Sequence, residues 1–345
     1  MKLKHFTLSC LVLIAIILPI LSGCRKNTVE TIPLKSVTEV VAEIPNLTIL
    51  NAALIKTGLA DTLKKARLFT VFAPNDLAFQ TLSPPFNSIA AINALAAGDP
   101  AISTLRTMLS FHIFGGKLST AAMQTGLSLN RTLTLKGGAD SLFISKSQTS
   151  PQVVSVNGAQ VTEANREATY NGFVHIVNKV IFPPTGNIVQ SALAAGNFKI
   201  LLAALAKTGL QDDLEAPGPF TVFAPTDSTF IITLRSLNNT ITNEATALNF
   251  INNTLSNSST PNITTLTNSL LYHVTQGRLY ASAMVADNIP NRNTLLTNRT
   301  LAFTYPGGAV QIVGTGNANQ PATVKKADIQ TTNGVIHTID RVLLP

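Results

Sequence analysis

An α+β fold built twice is what this chain predicts, and three observations carry the prediction. An octapeptide recurs: Phe69 to Asp76 reads FTVFAPND and Phe220 to Asp227 reads FTVFAPTD. The match extends upstream without a gap at one offset of 151 residues, so that 17 of the 28 positions from Ala52 to Phe79 are identical. In each copy, helix-period stretches come first and short alternating runs come last, the segregated order of an α+β domain. A period of this length is domain-sized, too long for a solenoid repeat. The expected units are residues 36–184 and 187–345, after an N-terminal leader and tether.

The first copy begins with apolar residues at helical spacing from Ser36 to Leu59, broken into two helices at Pro45-Asn46 and stopped by Gly58. Ile188 to Leu210 repeats this, with Gly196-Asn197 at the break. F-T-V-F is β-branched and aromatic and predicts a short buried strand. Pro74 and Pro225 end its ladder. Asp76 and Asp227 then stand where a helix N-cap is expected. Ile89–Leu95 and Ile102–Leu109 predict further helices, leading into Phe111-His112 and, in the second copy, Tyr272-His273.

From Asp76 to His112 is 36 positions and from Asp227 to His273 is 46. The second copy therefore carries about ten extra residues, in an Asn/Thr/Ser-rich segment at 238–265, which reads as a solvated excursion and a candidate copy-specific contact. A short helix is expected in both copies after Gly116-Lys117-Leu118 and Gly277-Arg278-Leu279. Alternating runs follow at Arg131–Leu135, Leu142–Ser145 and Val153–Val156, and at Thr300–Thr304 and Val310–Val313. Each copy closes on a strand opened by Asn-Gly, at Asn171-Gly172 and Asn333-Gly334, a strong hairpin signal.

The first 24 residues stand apart. A basic start (Lys2, Lys4) precedes a 16-residue mostly apolar run, Phe6 to Leu21, short for a membrane span and ending in Leu21-Ser22-Gly23-Cys24. This resembles a bacterial lipoprotein signal over residues 1–23, with Cys24 as the acylated first residue and a polar tether over 24–35. A lipid there gives a membrane-anchored protein. The residues after Cys24 are Arg25 and Lys26 rather than aspartate, which favours the outer membrane of the cell envelope. Cys10 is discarded with the leader, so each domain relies on its own apolar core.

Without Lys2 and Lys4 the balance is 23 basic against 17 acidic residues, scattered along the chain. No basic cluster interleaves with aromatics, so nucleic acid is not an expected partner. Nucleophile elbows, H-E-x-x-H and phosphate loops are absent from the sequence. His112, His175, His273 and His337 fall at equivalent places, two per copy. With no Cys and few acidic residues to accompany them, they read as buried hydrogen-bonding groups rather than metal ligands or catalysts. No cofactor, metal or enzymatic activity is expected.

Three motifs now stand in order in each copy: FTVFAP(N/T)D, then (F/Y)H, then NGFVHIVNKVI or NGVIHTIDRVL. Together they resemble the fasciclin (FAS1, βig-h3) domain family over almost the whole mature chain. The resemblance implies a wedge-shaped β-sandwich with a helical cap, non-catalytic as a rule and associated with adhesion. In some members a Tyr-His segment is implicated in integrin binding. Tyr272-His273 matches it and Phe111-His112 matches in part, making these four the candidate interaction residues. Asp76, Asp227, His175 and His337 belong to the structural motifs. The expected function is that of an envelope lipoprotein acting in adhesion or protein interaction. The alternative is an outer-membrane polysaccharide-binding accessory protein using Tyr280 and Tyr305.

Overall fold

A computed structural model describes residues 35–130, 142–168, 170–258, 261–317 and 320–345. The leader at 1–23, Cys24, the tether as far as residue 34 and the run Arg131–Leu135 lie outside the described residues. Among the described residues no helix is long and apolar enough to cross a membrane.

Each half holds one seven-stranded sheet, and the two sheets have the same order. In the first half it is β2 (Ile113–Gly115), β1 (Phe69–Pro74), β7 (Gly172–Val177), β6 (Ala159–Ala168), β5 (Val154–Val156), β4 (Leu142–Lys146) and β3 (Gly126–Asn130). The second half repeats it as β9 (Val274–Gln276), β8 (Phe220–Pro225), β14 (Gly334–Ile339), β13 (Ala322–Thr331), β12 (Gln311–Val313), β11 (Thr300–Thr304) and β10 (Asn291–Asn293). Within each sheet β1 and β7, and likewise β8 and β14, run parallel. The octapeptide strand is thus paired with the closing strand of its own copy, from Phe69 opposite Gly172 to Pro74 opposite Val177.

The parallel pair is buried on both faces, as parallel strands usually are. In β1, Phe69, Val71 and Ala73 pack with Val174 and Ile176 of β7 against the helices, in a core that includes Val41, Leu50, Leu54 and Leu109. Phe72 and Val177 point the other way, into a second cluster with Leu142, Ile144, Val156 and Phe111. The sheet therefore folds over on itself. Its corner is the ten-residue strand β6: Ala159 and Gln160 pair with β5, whereas Val161 to Ala168 pair with β7 across two irregularities in register. Extra residues at such bulges bend a strand. The second half repeats both clusters and the corner at β13. Each half is therefore an α+β wedge with its own cores, helices at one side.

The helices start where chemistry allows. Ser36 and Glu39 form a capping box on helix Val37–Glu43, and Asn187 and Gln190 form its counterpart on Ile188–Ala195. Gly58 and Gly209 adopt left-handed backbone at the ends of the next helices, Thr48–Lys56 and Lys199–Thr208. A further short helix follows each, Leu59–Leu63 and Gln211–Glu215, which the sequence reading stops short of.

Two expectations are corrected. The helix expected after both Gly-Lys/Arg-Leu triplets forms only in the second half, at Ala281–Ala286. The Asn/Thr/Ser-rich segment is not a solvated excursion. Ile241, Ala247, Phe250, Ile251 and Leu255 are buried with Ile200 and Leu205 of helix Lys199–Thr208. Helix Glu244–Asn249 and a π-helical turn, Phe250–Thr254, carry them. The widened turn, with Leu255 N–H on Phe250 O at 2.8 Å, brings three apolar residues to one side. The polar residues between them face water.

Candidate interaction site

The repeated polar residues are used by the fold itself. Asp76 is not the N-cap of its own helix, as the sequence suggests. That role belongs to Asn75, and in the second half to Thr226. The Asp76 carboxylate instead accepts from Ile49 N–H at 2.9 Å and Thr48 Oγ1–H at 2.7 Å, at the start of helix Thr48–Lys56. Asp227 accepts from Ile200 N–H at 2.8 Å and Lys199 N–H at 3.1 Å. Both receiving helices have an apolar N-cap residue, Leu47 and Phe198, with no side-chain cap of its own. The aspartate supplies, from across the fold, the acceptor that Leu47 and Phe198 lack, and its charge suits a helix N-terminus.

Asn171 and Asn333, which open the closing strands, are hubs. Asn171 Oδ1 accepts from Val37 N–H, and its Nδ2 donates to Leu63 O and Lys65 O. Asn333 repeats this with Ile188 N–H, Leu214 O and Ala216 O. One amide thus ties the first helix, the end of a short helix and the hairpin together.

The four histidines are buried, and both ring nitrogens of each are spent. His112 Nδ1–H donates to Met108 O at 2.9 Å while Nε2 accepts from Ile181 N–H at 3.0 Å. His273 does the same with Ser269 O and Leu343 N–H. Each ring pins the last residues of its domain to the end of a helix. His175 Nε2–H donates to Leu118 O at 2.8 Å, and its Nδ1 accepts from Asn165 N–H at 3.1 Å, an amide freed by the β6 bulge. His337 bonds Leu279 O and Asp328 N–H in the same manner. Phe72 and Phe223 stack on these rings. Every ring faces one donor and one acceptor, so each must be neutral. Burial pushes all four below the ordinary imidazole value, His112 and His273 to about 4. Among the described residues no group of three or more His, Cys, Asp or Glu gathers as a metal site.

The halves meet along a seam that the sequence reading does not anticipate. The Arg278 guanidinium lies 4.2 Å from the centroid of the Phe143 ring, and Tyr280 flanks the same ring at 6.4 Å. Arg278 is itself held by the carbonyls of Thr331, Thr332 and Gly334. Lys179 Nζ reaches Asp328 Oδ2 and Ala327 O, both at 3.2 Å. The Asp328 side chain is only 4% exposed, and its other oxygen accepts from Ala281 N–H. Gln148 N–H donates to Asp287 Oδ1, and Thr149 Oγ1–H to Ala286 O, both at 2.8 Å. An aromatic ring under a fork-shaped cation and a carboxylate shielded from water are the strong elements of such contacts.

A family model described as the fasciclin domain matches residues 45–183 and again 196–345. This chain belongs to the fasciclin family. Two tandem fasciclin domains account for both wedges. Among relatives, the rabbit (Oryctolagus cuniculus) transforming growth factor-beta-induced protein ig-h3 is 32% identical over 194 residues, which is 56% of this chain and 24% of that one. The chain thus spans about a quarter of that relative's length. Protein sll1483 of Synechocystis sp. is 33% identical over 170 residues, 49% of this chain and 79% of that one. A solved FAS1 domain pair from the insect cell adhesion molecule Fasciclin I aligns over 85% of this chain and 95% of that one, at 18% identity and a TM-score of 0.38.

Within these fasciclin domains the expected contact residues are not on the surface. Tyr272 is 0% exposed, Phe111 0%, His112 1% and His273 2%. They end the long helices Ile263–Tyr272 and Pro100–Phe111, whose last turns enter the wedge interior. Phe111 packs among Phe72, Leu142 and Ile144; Tyr272 fills the matching place and donates to Thr300 O at 2.9 Å. The reading of these four as interaction residues is therefore overturned by burial. Of the two tyrosines of the polysaccharide alternative, Tyr280 is buried at the seam, whereas Tyr305 is half-buried with its hydroxyl donating to Ile289 O at 2.5 Å. The seam residues Phe143, Lys179, Arg278, Tyr280 and Asp328 carry no local pattern that marks them in the sequence.

Proposed function

We propose that this chain is a cell-envelope lipoprotein, anchored through Cys24 in the outer membrane, whose two fasciclin domains act as an adhesion and protein-interaction module. The observation that carries the non-catalytic half of this reading is the histidine bonding. Both ring nitrogens of His112, His175, His273 and His337 are engaged by backbone groups, so none of the imidazoles among the described residues is free to bind a metal or relay a proton. The adhesion half draws on membership of the fasciclin family. With the polar motif residues committed to the fold, contacts with partners fall to the exposed faces. The outward side of the 238–265 segment, held on a rigid helix and π-turn, is the copy-specific one.

The test uses intact cells carrying the full chain. Anchoring predicts that the protein partitions with membranes and that Cys24→Ala releases it. Adhesion predicts that cells lacking the protein lose attachment to one another or to a surface, and that protease shaving of wild-type cells has the same effect. A chain that stays membrane-bound without Cys24, or attachment unchanged by its removal, sinks the corresponding half of the proposal.

A further inference from the structure

The seam joins unlike faces of like domains. The first domain contributes Phe143 and Lys179; the second contributes Arg278, Tyr280 and Asp328. Because the domains are copies, each also carries the counterpart of the face its neighbour uses, and both counterparts look outward. Head-to-tail contacts of this kind propagate from molecule to molecule unless something stops them.

The counterparts are fixed by bonding, not by sequence alone. Ile144 opposite Val156 matches Phe303 opposite Ile312, which makes Ala302 the counterpart of Phe143. Thr70 on Gly116 O matches Thr221 on Gly277 O, which makes Lys117 and Ser119 the counterparts of Arg278 and Tyr280. The bulge amides on His175 and His337 equate Asn165 with Asp328. Asn178 on Gln160 N–H matches Asp340 on Thr323 N–H, so Arg341 answers to Lys179. Of these five positions two keep a positive charge, Arg341 for Lys179 and Lys117 for Arg278. The ring is lost at Ala302 and Ser119, the carboxylate at Asn165 and the guanidinium fork at Lys117. Burial follows suit: Arg278, Tyr280 and Asp328 are buried, whereas Lys117, Asn165 and Ala302 are exposed. The open face of the first domain also keeps a cleft of about 520 Å³ between Thr120, Lys146, Val161 and Ala164, where the second domain forms its helix Ala281–Ala286.

We infer that the four replacements keep a second copy of this chain from docking head to tail on these two faces as the two domains dock within it. Ala302 offers no ring to a cation, Asn165 no charge to Arg341, and Lys117 cannot bridge three carbonyls as a guanidinium does. The seam is thereby one-way: it closes inside the chain and ends there.

The test restores the faces separately in full-length mature chains. One chain carries Ala302→Phe; the other carries Lys117→Arg, Ser119→Tyr and Asn165→Asp. Light scattering is expected to show each alone as a single chain. Their mixture is expected to form a one-to-one complex with a dissociation constant at least about ten-fold below that of wild-type self-association. All four changes in one chain should give a concentration-dependent ladder. Circular dichroism checks that each variant is folded, and the Lys117→Arg, Ser119→Tyr chain without Asn165→Asp serves if the third change disturbs the bulge. Folded variants that stay apart when mixed overturn the inference. So does a wild-type chain that forms a concentration-dependent ladder by itself.

Discussion

The two domains differ least where they are buried and most where they touch each other. His112 and His273, Asn171 and Asn333, and His175 and His337 make the same bonds to the same backbone positions, and Asp76 and Asp227 share the bond to the second residue of the helix each one caps. At the seam, by contrast, Phe143 faces a counterpart Ala302, and Arg278, Tyr280 and Asp328 answer to Lys117, Ser119 and Asn165. The shared set fixes the domain and the divergent set fixes its neighbour. Duplication thus separates the residues that make a wedge from those that make a pair. An experiment that treats the halves unequally tests which set a residue belongs to.

The largest expected effect comes from the glycines that begin the closing strands. A Cβ on Gly172 would lie 1.6 Å from Phe69 O, and one on Gly334 would lie 2.3 Å from Phe220 O. Both oxygens are backbone at the start of the parallel pair and cannot move aside without opening it. Gly172→Ala and Gly334→Ala are each expected to cost more than about 3 kcal/mol, the first more than the second. Urea unfolding followed by circular dichroism reads this as early loss of one domain, and equal, mild effects would contradict the close approach.

Acid should act on both domains alike. For His112 and His273 burial lowers the imidazole from 6.5 to about 4, so the folded state refuses a proton the unfolded chain accepts. Stability is therefore complete above about pH 6.5 and falls as pH drops from there toward 4, by about 1.4 kcal/mol per pH unit for each such ring. His175 and His337 shift the same way and steepen the loss. Between pH 7 and 5 few carboxylates titrate, so urea midpoints across that window isolate the histidines. Midpoints that rise on acidification would show that the rings are charged in the fold.

Much of the wedge was legible in the chain and the seam was not. F-T-V-F reads as a buried strand because β-branched and aromatic residues suit one, and Asn-Gly reads as a hairpin. The parallel pairing of these two strands was hidden because Phe69 and Gly172 lie about 100 residues apart and no local pattern records it. Asp76 caps not the nearest helix but the one before it; local capping rules cannot see a helix brought near by tertiary folding. The 238–265 segment misled through composition: its Asn and Thr outnumber Ala247, Phe250, Ile251 and Leu255, but those four sit on one side. Resemblance makes the Tyr-His segment a contact candidate, while the last turn of its helix carries it into the interior.

Removing the seam cation should uncouple the domains and leave each fold standing. Arg278→Ala loses the stack on Phe143 and three carbonyl bonds, and Phe143→Ala loses the stack and the ring contact with Tyr280. The expected cost is about 2–3 kcal/mol for the first and about 1 kcal/mol for the second. Calorimetry is expected to show one transition in the parent splitting into two in Arg278→Ala. Lys117→Ala, the counterpart change in the first domain, removes a cation from over the Phe173 ring of its own domain and should leave the transition unsplit. A split caused by Lys117→Ala would place that residue in the shared set instead.

The smallest effect is the most discriminating between the copies. Asp76→Asn and Asp227→Asn keep the shape of the acceptor and remove its charge from the start of helices Thr48–Lys56 and Lys199–Thr208. Asp76 also accepts a hydroxyl, Thr48 Oγ1, and is half-buried; Asp227 accepts only backbone N–H groups and is 9% exposed. An amide can still accept from one N–H, so most of the bonding survives and the loss is chiefly that of charge at a helix N-terminus. That interaction is worth about 0.3–1 kcal/mol when exposed and up to about 2 kcal/mol in partly buried geometry. Asp227→Asn is therefore expected to cost about twice what Asp76→Asn costs, read as separate urea midpoints once Arg278→Ala has uncoupled the domains. Salt sharpens the contrast, because screening reaches the half-exposed carboxylate more readily than the buried one. Raising ionic strength should shrink the Asp76→Asn difference toward zero and leave the Asp227→Asn difference nearly intact.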